Sequence, residues 1–348
     1  MLKFPHGTKM HKKGVEIQFN WIFILIVGAI ILTFFIVIVQ KQRQYTEEGI
    51  AETMQSDLQT IFTSSQVSIR TASIIEISPQ IVEFKCEQGT SGFRIGNQNI
   101  IGFPYSFAPD KIKSDRNTIS AYAYDWSVPY RATNFLYVTS PDVRYVLVGS
   151  SDDTKLIDDL LPPRYIEKDG KQRLFMNKEI TTPELLSSVK NQNNYKAKFV
   201  FINQQGLEEI DDSFEDSDVS AINININEMK IDFYKKSSGN TSIFERQIGY
   251  LGEAGILAAI FAEDSYMYEC GMNNAFQKLV AVSDIYYKRT EQLKLTGKCE
   301  SLYAESMTVI LNIGTGAGNK NYDTIDLDSQ ELEGYNEDIQ ENSCPVIY

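Results

Sequence analysis

"KKGVEIQFNWIFILIVGAIILTFFIVIVQKQR", residues 12–43, sets the organisation of everything that follows it. Trp21 to Val39 is a run of 19 residues without a charge. At about 1.5 Å of rise per residue, a helix of that length spans the ~30 Å hydrocarbon core of a bilayer. The apolar core of a secretory signal is shorter, about 7–15 residues, and ends at small residues. Here the run ends at Gln40, Lys41, Gln42 and Arg43, with no such cleavage pattern. The stretch therefore reads as a retained anchor rather than a removed leader or a soluble core helix.

Lys3, Lys9, Lys12 and Lys13 precede the anchor, with no acid among the first 13 residues. Positive charge is retained on the cytoplasmic side, so the N-terminus is expected inside and the ectodomain outside the cytoplasm. Trp21 and Tyr45 suit the two membrane interfaces. The expected layout is a basic cytoplasmic tail at 1–18, a transmembrane helix at 19–40 and an amphipathic stalk helix at 41–71. A β-rich α/β ectodomain at 72–250 follows, and then its C-terminal helical part at 251–348.

The net charge of the chain is −13, and every acid lies beyond residue 13. Nucleic acid is thereby disfavoured as a partner, because phosphate neutralisation needs clustered Lys and Arg. The basic tail instead suits an anionic bilayer surface. Hydrophobic residues make up 43% of the chain, enough for a packed core.

After the anchor, Ile50, Met54, Leu58, Ile61 and Phe62 recur at helical spacing on one face. That stripe suits either packing on the chain's own domain or a self-association seam. From residue 72 the pattern turns to strands. "QIVEFKCEQGTSGFRIGNQNI" (80–100) reads as a hairpin, and "ISAYAYDW" (119–126) as a strand. "ATNFLYVTSPDVRYVLVGSS" (132–151) reads as an antiparallel pair about Ser140-Pro141-Asp142. "TTPELLSSVKNQ" starts a helix with Thr182 as N-cap and Pro183 in its first turn. "YKAKFVFIN" (195–203) is a buried strand, and "VSAININI" with "KIDFYKK" forms a hairpin about Asn227-Glu228. Helices follow over about 253–263, 267–293, 299–313 and 328–341. The fold class is α+β (mixed α/β), a mainly antiparallel sheet ectodomain with the C-terminal helices packed on it.

The triplet Lys12-Lys13-Gly14 resembles the class III signal of archaeal type IV pilins. The resemblance implies a peptidase cut after Gly14, with the apolar helix kept in the mature subunit. The family's glutamate lies at the fifth mature position, which is Phe19 here, while Glu16 would be second. The basic-Gly start, the "WIF" opening at 21–23 and a late "YEC" (268–270) with "CP" (344–345) also resemble archaeal single-pass membrane proteins of no known activity.

The only histidines are His6 and His11. Ser-His-Asp and Cys-His catalysis in the ectodomain are thereby excluded, as is any zinc site needing imidazole. No residue is singled out as catalytic, metal-ligating or cofactor-binding, and no cofactor is expected. "GTGAGNK" (314–320) lacks Walker A spacing and reads as a helix connection. The acidic stretch 207–218 lacks calcium-loop spacing and reads as a solvated loop or a loose cation site. Asn240-Thr241-Ser242 is a glycosylation sequon. Tyr122, Tyr124, Trp126 and Tyr130 are either a covered sheet face or a candidate binding surface.

Four cysteines in an extracytoplasmic domain suit two disulfides. A helix running from Cys270 to about Leu293 separates its ends by roughly 36 Å. Bridged Cα atoms lie only about 4.4–6.8 Å apart, so Cys270 and Cys299 are not partners. Two antiparallel helices of similar length would return Cys344 to Cys299, leaving Cys86 for Cys270. The alternative is four buried thiols in a reducing compartment.

The sequence thus reads as a membrane-anchored extracytoplasmic binding or structural protein of the cell envelope. The alternatives are a pilin-like filament subunit and an envelope enzyme using carboxylates or a metal. The expected partners are the lipid bilayer and either an envelope protein or a second copy through the stalk helix.

Overall fold

A computed structural model describes residues 13–67, 70–77, 80–113, 118–192, 196–204, 210–211, 213–215, 218–236 and 242–348. The basic tail up to Lys12, half of the acidic stretch 207–218 and Asn240-Thr241 of the sequon lie outside those residues.

The chain divides into two compact units, Met1–Thr53 and Met54–Tyr348. Helix α1 (Lys13–Val67) contributes to both. Within the first unit, Phe23–Gln42 is long and apolar enough to cross a membrane, with a mean hydropathy of 2.9 and none of it buried. A helix apolar all round and unburied matches a lipid solvent rather than a protein core.

The second unit begins inside α1 and continues through β1 (Ala72–Glu76), β2 (Ile81–Glu87), β3 (Thr90–Ile95), β4 (Ile101–Gly102), β5 (Ser106–Phe107) and β6 (Lys111–Lys113). Then come β7 (Thr118–Ser127), β8 (Arg131–Thr139), β9 (Val143–Val148), α2 (Ser151–Leu160), β10 (Tyr165–Lys168), β11 (Lys171–Leu174) and β12 (Asn177–Thr181). A 3-10 helix at Pro183–Ser188 leads to β13 (Lys196–Ile202), β14 (Val219–Asn225), β15 (Lys230–Lys236) and β16 (Ser242–Gly249). Helices α3 (Gly252–Phe261), α4 (Ser265–Lys294), α5 (Glu300–Asn319) and α6 (Tyr322–Glu341) close the chain.

The fold is mixed α+β, with antiparallel-rich sheets and C-terminal helices. One four-stranded sheet has the order β1-β7-β8-β5, a second β4-β3-β2-β6, and a six-stranded sheet β12-β9-β13-β14-β15-β16. Local chemistry accounts for the hairpins. Gln88 and Gly89 both take positive φ (51° and 79°) between β2 and β3, the twist that a two-residue hairpin requires. Met229, left-handed at φ 52°, turns β14 into β15.

Three expectations are corrected. The runs around Ser140-Pro141-Asp142 are not a hairpin. β8 stays in the first sheet, whereas β9 pairs in parallel with β12 and β13 in the six-stranded sheet. All six residues of β9 are buried, and a strand with two apolar faces belongs inside a sheet with cover on both sides. The Gly-rich "GTGAGNK" is not a connection either, since all but Lys320 lies within α5. A Cβ at Gly316 would lie 3.0 Å from Ile325 Cγ1, and one at Gly314 3.3 Å from Ser283 Cβ. Small residues let α5 pack closely against both neighbours. The turn comes later, at left-handed Lys320 and at Asn321, whose side chain accepts from Thr324 N–H at 3.1 Å. The segment after Thr182 is a six-residue 3-10 helix rather than an α-helix.

From Met54 onward α1 packs on its own unit. Met54, Leu58 and Phe62 are buried, and the Phe62 ring lies 5.2 Å from Phe93 and 5.9 Å from Phe103. Gln55 accepts from Ile95 N–H at 3.0 Å and donates to Asn99 O at 2.7 Å. Two disulfides add covalent ties: Cys86 of β2 is bonded to Cys270 of α4, and Cys299 to Cys344. The second bond holds a tail that Tyr303 also grips, donating to Pro345 O at 2.7 Å.

Gly271 of α4 faces the ring of Phe107, and a Cβ there would sit 2.4 Å from Phe107 Cε1. Gly271→Ala is expected to destabilise the second unit by about 1–3 kcal/mol through overpacking. Gly334→Ala, on the exposed face of α6 with nothing near its Cβ, is expected to stabilise it by about 0.5–1 kcal/mol. Urea unfolding of the oxidised protein reads both signs.

Candidate functional site: a buried lysine pair

Strand alternation puts Lys196 and Lys198 of β13 on one face of the six-stranded sheet. Lys196 stands opposite Val143, and Lys198 opposite Tyr145 and Ser220. Both lysines are buried, which is rare for this residue unless it is paired. The α3–α4 junction, Ala262, Glu263 and Asp264, supplies most of the partners. Lys198 Nζ donates to Ala262 O at 2.9 Å and to Glu263 O at 3.1 Å, and lies 5.9 Å from the Phe233 ring. It thereby satisfies carbonyls that the end of α3 leaves without partners. Lys196 Nζ lies 2.7 Å from Asp110 Oδ1 and 2.9 Å from Glu263 Oε1. Asp264 caps α4, accepting from Met267 N–H at 2.9 Å.

The two amines are tuned in opposite directions. Burial pushes Lys198 down to about 8, against the raising influence of the Glu263, Asp264 and Glu245 charges. Burial also works to lower Lys196, but the Glu263 charge, the short contact with Asp110 and the hydrogen bond to Glu263 hold it above its ordinary value. Both lysines line a small, partly open cleft that includes Pro109, Tyr145, Ser220 and Glu263. The site brings an amine that loses its proton in mildly alkaline solution next to an ammonium held between two carboxylates. Among the described residues, no group of His, Cys, Asp and Glu is arranged to hold a metal ion.

Neither lysine is among the candidate residues that the sequence singles out. The available signal was "YKAKFVFIN", where Lys196 and Lys198 alternate on a strand read as buried.

The aromatic residues named from sequence lie in the interior. Tyr122, Tyr124, Trp126 and Tyr130 are 8%, 7%, 0% and 1% exposed. Trp126 stacks on Phe135 at 5.3 Å, meets Phe276 of α4 edge-on, and donates from Nε1 to Leu251 O at 3.2 Å. Tyr130 stacks on Tyr286 at 4.4 Å, and its hydroxyl lies 2.5 Å from Ser283 Oγ. Tyr122 packs toward Tyr137 at 6.2 Å. Tyr124 donates to Glu253 and accepts from Arg70 Nη2 at 3.0 Å. Burial and then the Glu253 hydrogen bond push the Tyr124 hydroxyl well above the ordinary tyrosine range. Helices α3 and α4 cover this face, so it is core rather than a platform open to ligand. In the acidic stretch, Asp211 pairs with Lys190 and accepts from Ser213 N–H at 2.9 Å. The Lys190 contact lowers its pKa first, followed by the Ser213 bonds.

No protein-family model, curated protein or solved structure matches the chain.

The depressed pKa of Lys198 fixes the sign of a pH effect. The unfolded chain keeps this proton up to about 10.5, the folded chain only to about 8. Between these values the unfolded state binds more protons, so this group makes stability rise with pH. From about pH 8 to about pH 9.5, below tyrosine ionisation, its slope is at most about 1.4 kcal/mol per pH unit. Lys198→Met is expected to remove that slope in urea titrations. An unchanged slope in the variant would assign it to another group.

Proposed function

We propose that the chain is a membrane-anchored extracytoplasmic protein of the cell envelope, with a binding or structural role. The observation that carries this reading is an unburied apolar helical stretch in one unit and two disulfides in the other. Disulfides of this kind persist in oxidising compartments. The four lysines ahead of the stretch favour a cytoplasmic N-terminus. The partners in this reading are the lipid bilayer and another envelope protein.

A pilin-like filament subunit is the second reading, and a specific feature favours it: α1 runs unbroken through 55 residues from the basic-Gly start. The apolar side chains after Met54 are used within their own unit, so self-association in this reading falls to the earlier part of α1. A mature chain beginning at Val15 in N-terminal sequencing supports the filament reading, and a retained Met1 the simple anchor.

On intact cells, a membrane-impermeant protease is expected to release the region after Arg43. Alkylation of those cells without reductant is expected to leave all four cysteines unmodified. Protection of the chain while other surface proteins are digested, or four alkylated thiols, would contradict the placement.

A further inference from the structure

Lys196, Asp110 and Glu263 converge with the geometry of a self-condensing amide. Lys196 Nζ stands 2.7 Å from Asp110 Oδ1, and Glu263 touches the Lys196 amine and the Asp110 backbone. Its Oε1 lies 2.9 Å from Nζ, and its Oε2 accepts from the backbone N–H of Asp110 at 3.3 Å. Asp110 Oδ1 is fully buried and makes no hydrogen bond of ordinary direction despite the short approach of Nζ. Pro109, Val143, Tyr145 and Phe261 wall the cleft with apolar surface. The side chain of Asp110 as a whole is 45% exposed, so one oxygen is enclosed while the carboxyl still reaches solvent.

The Lys196 ammonium, the Glu263 carboxylate and the enclosed oxygen of Asp110 lose much of their hydration in this corner, which is costly for charged groups. Joining Lys196 to Asp110 removes two of the three charges and leaves a neutral amide in their place. We infer that Lys196 and Asp110 form an intramolecular isopeptide bond, with Glu263 as the proton carrier. The Lys196 ammonium gives a proton to Glu263, and the freed amine attacks Asp110 Cγ. Glu263 passes that proton, and then a second one from nitrogen, to the departing carboxyl oxygen. The Nζ–Cγ bond forms, the Cγ–O bond breaks, and one water leaves through the open side of the cleft. Ammonium plus carboxylate thus becomes a secondary amide plus water. Glu263 ends in its starting state, and no oxidant or cofactor takes part.

The bond would tie the segment before β6 to the start of β13, beside the α3–α4 junction. The Cys86–Cys270 bond secures the neighbouring β2 to α4. The two ties would reinforce the same corner by different chemistries, one of them indifferent to reductant. The inference does not depend on the membrane placement.

The test is mass spectrometry of the full chain purified in detergent, with its disulfides reduced and alkylated. The expected result is a chain lighter than its sequence by one water. A tryptic map should contain a branched peptide joining the Asp110 and Lys196 segments, with no cleavage after Lys196. Lys196→Arg and Asp110→Ala should restore the full mass. Glu263→Gln should do so while keeping both disulfides and the wild-type circular dichroism spectrum. A wild-type chain at full sequence mass overturns the inference whether or not the variants fold. A water loss confined to a linear peptide, as in succinimide formation at Asp110, overturns it too. A branched peptide that persists in folded Glu263→Gln overturns the proton relay.

Discussion

Three sheets meet on a single turn of α4. Tyr268 places its ring 5.4 Å from Phe233 of the six-stranded sheet. Cys270 is bonded to Cys86 of β2 in the second sheet. Gly271 lies against Phe107 of β5 in the first, a fit that a Cβ would block. Further along, Phe276 meets Trp126 at 6.0 Å, and Ser283 meets the hydroxyl of Tyr130. Each sheet is small or has an open edge, and a sheet buries its apolar face only against something else. The first half of α4 is that shared surface.

The lysine pair acts on the same arrangement from its start. Asp264 caps α4 and Ala262 ends α3, so the contacts of Lys196 and Lys198 with Ala262 and Glu263 fix where α4 begins. Burying two amines is costly unless each finds partners, and here every bond they form is with the junction or with Asp110. The same enclosure that lowers the pKa of Lys198 brings Lys196 and Asp110 within bonding reach. At the opposite end, the Cys299–Cys344 bond and Tyr303 hold the C-terminal tail, and Tyr348 packs 5.9 Å from Tyr130.

What could be read in the sequence depended on how local the governing physics is. The apolar stretch after Trp21 is legible because bilayer thickness sets a length that few soluble helices match in uniform apolarity. The disulfide partners could be reasoned out because helix lengths fix how far apart their ends lie, as between Cys270 and Cys299. The destination of β9 was not legible, since Val143 to Val148 read equally well as a hairpin partner or a central strand until both neighbours are known. Gly314, Gly316 and Gly318 look like a helix break by propensity, and close packing on Ser283 and Ile325 overrides it. Tyr122 to Tyr130 carry the same letters whether exposed or covered, and only the return of α3 and α4 from more than a hundred residues away covers them. Lys196 and Lys198 were hidden by the general rule that lysine faces water.

Helix α4 joins three sheets into one cooperative body, and native-state hydrogen exchange of the oxidised full chain in detergent tests this most directly. Amides in β2, β8, β13 and the first half of α4 should exchange through one common opening, at one free energy and with one denaturant dependence. If β2 and β3, or β13 and β14, exchange at a clearly lower free energy while the start of α4 stays protected, the sheets open independently and α4 does not hold them together.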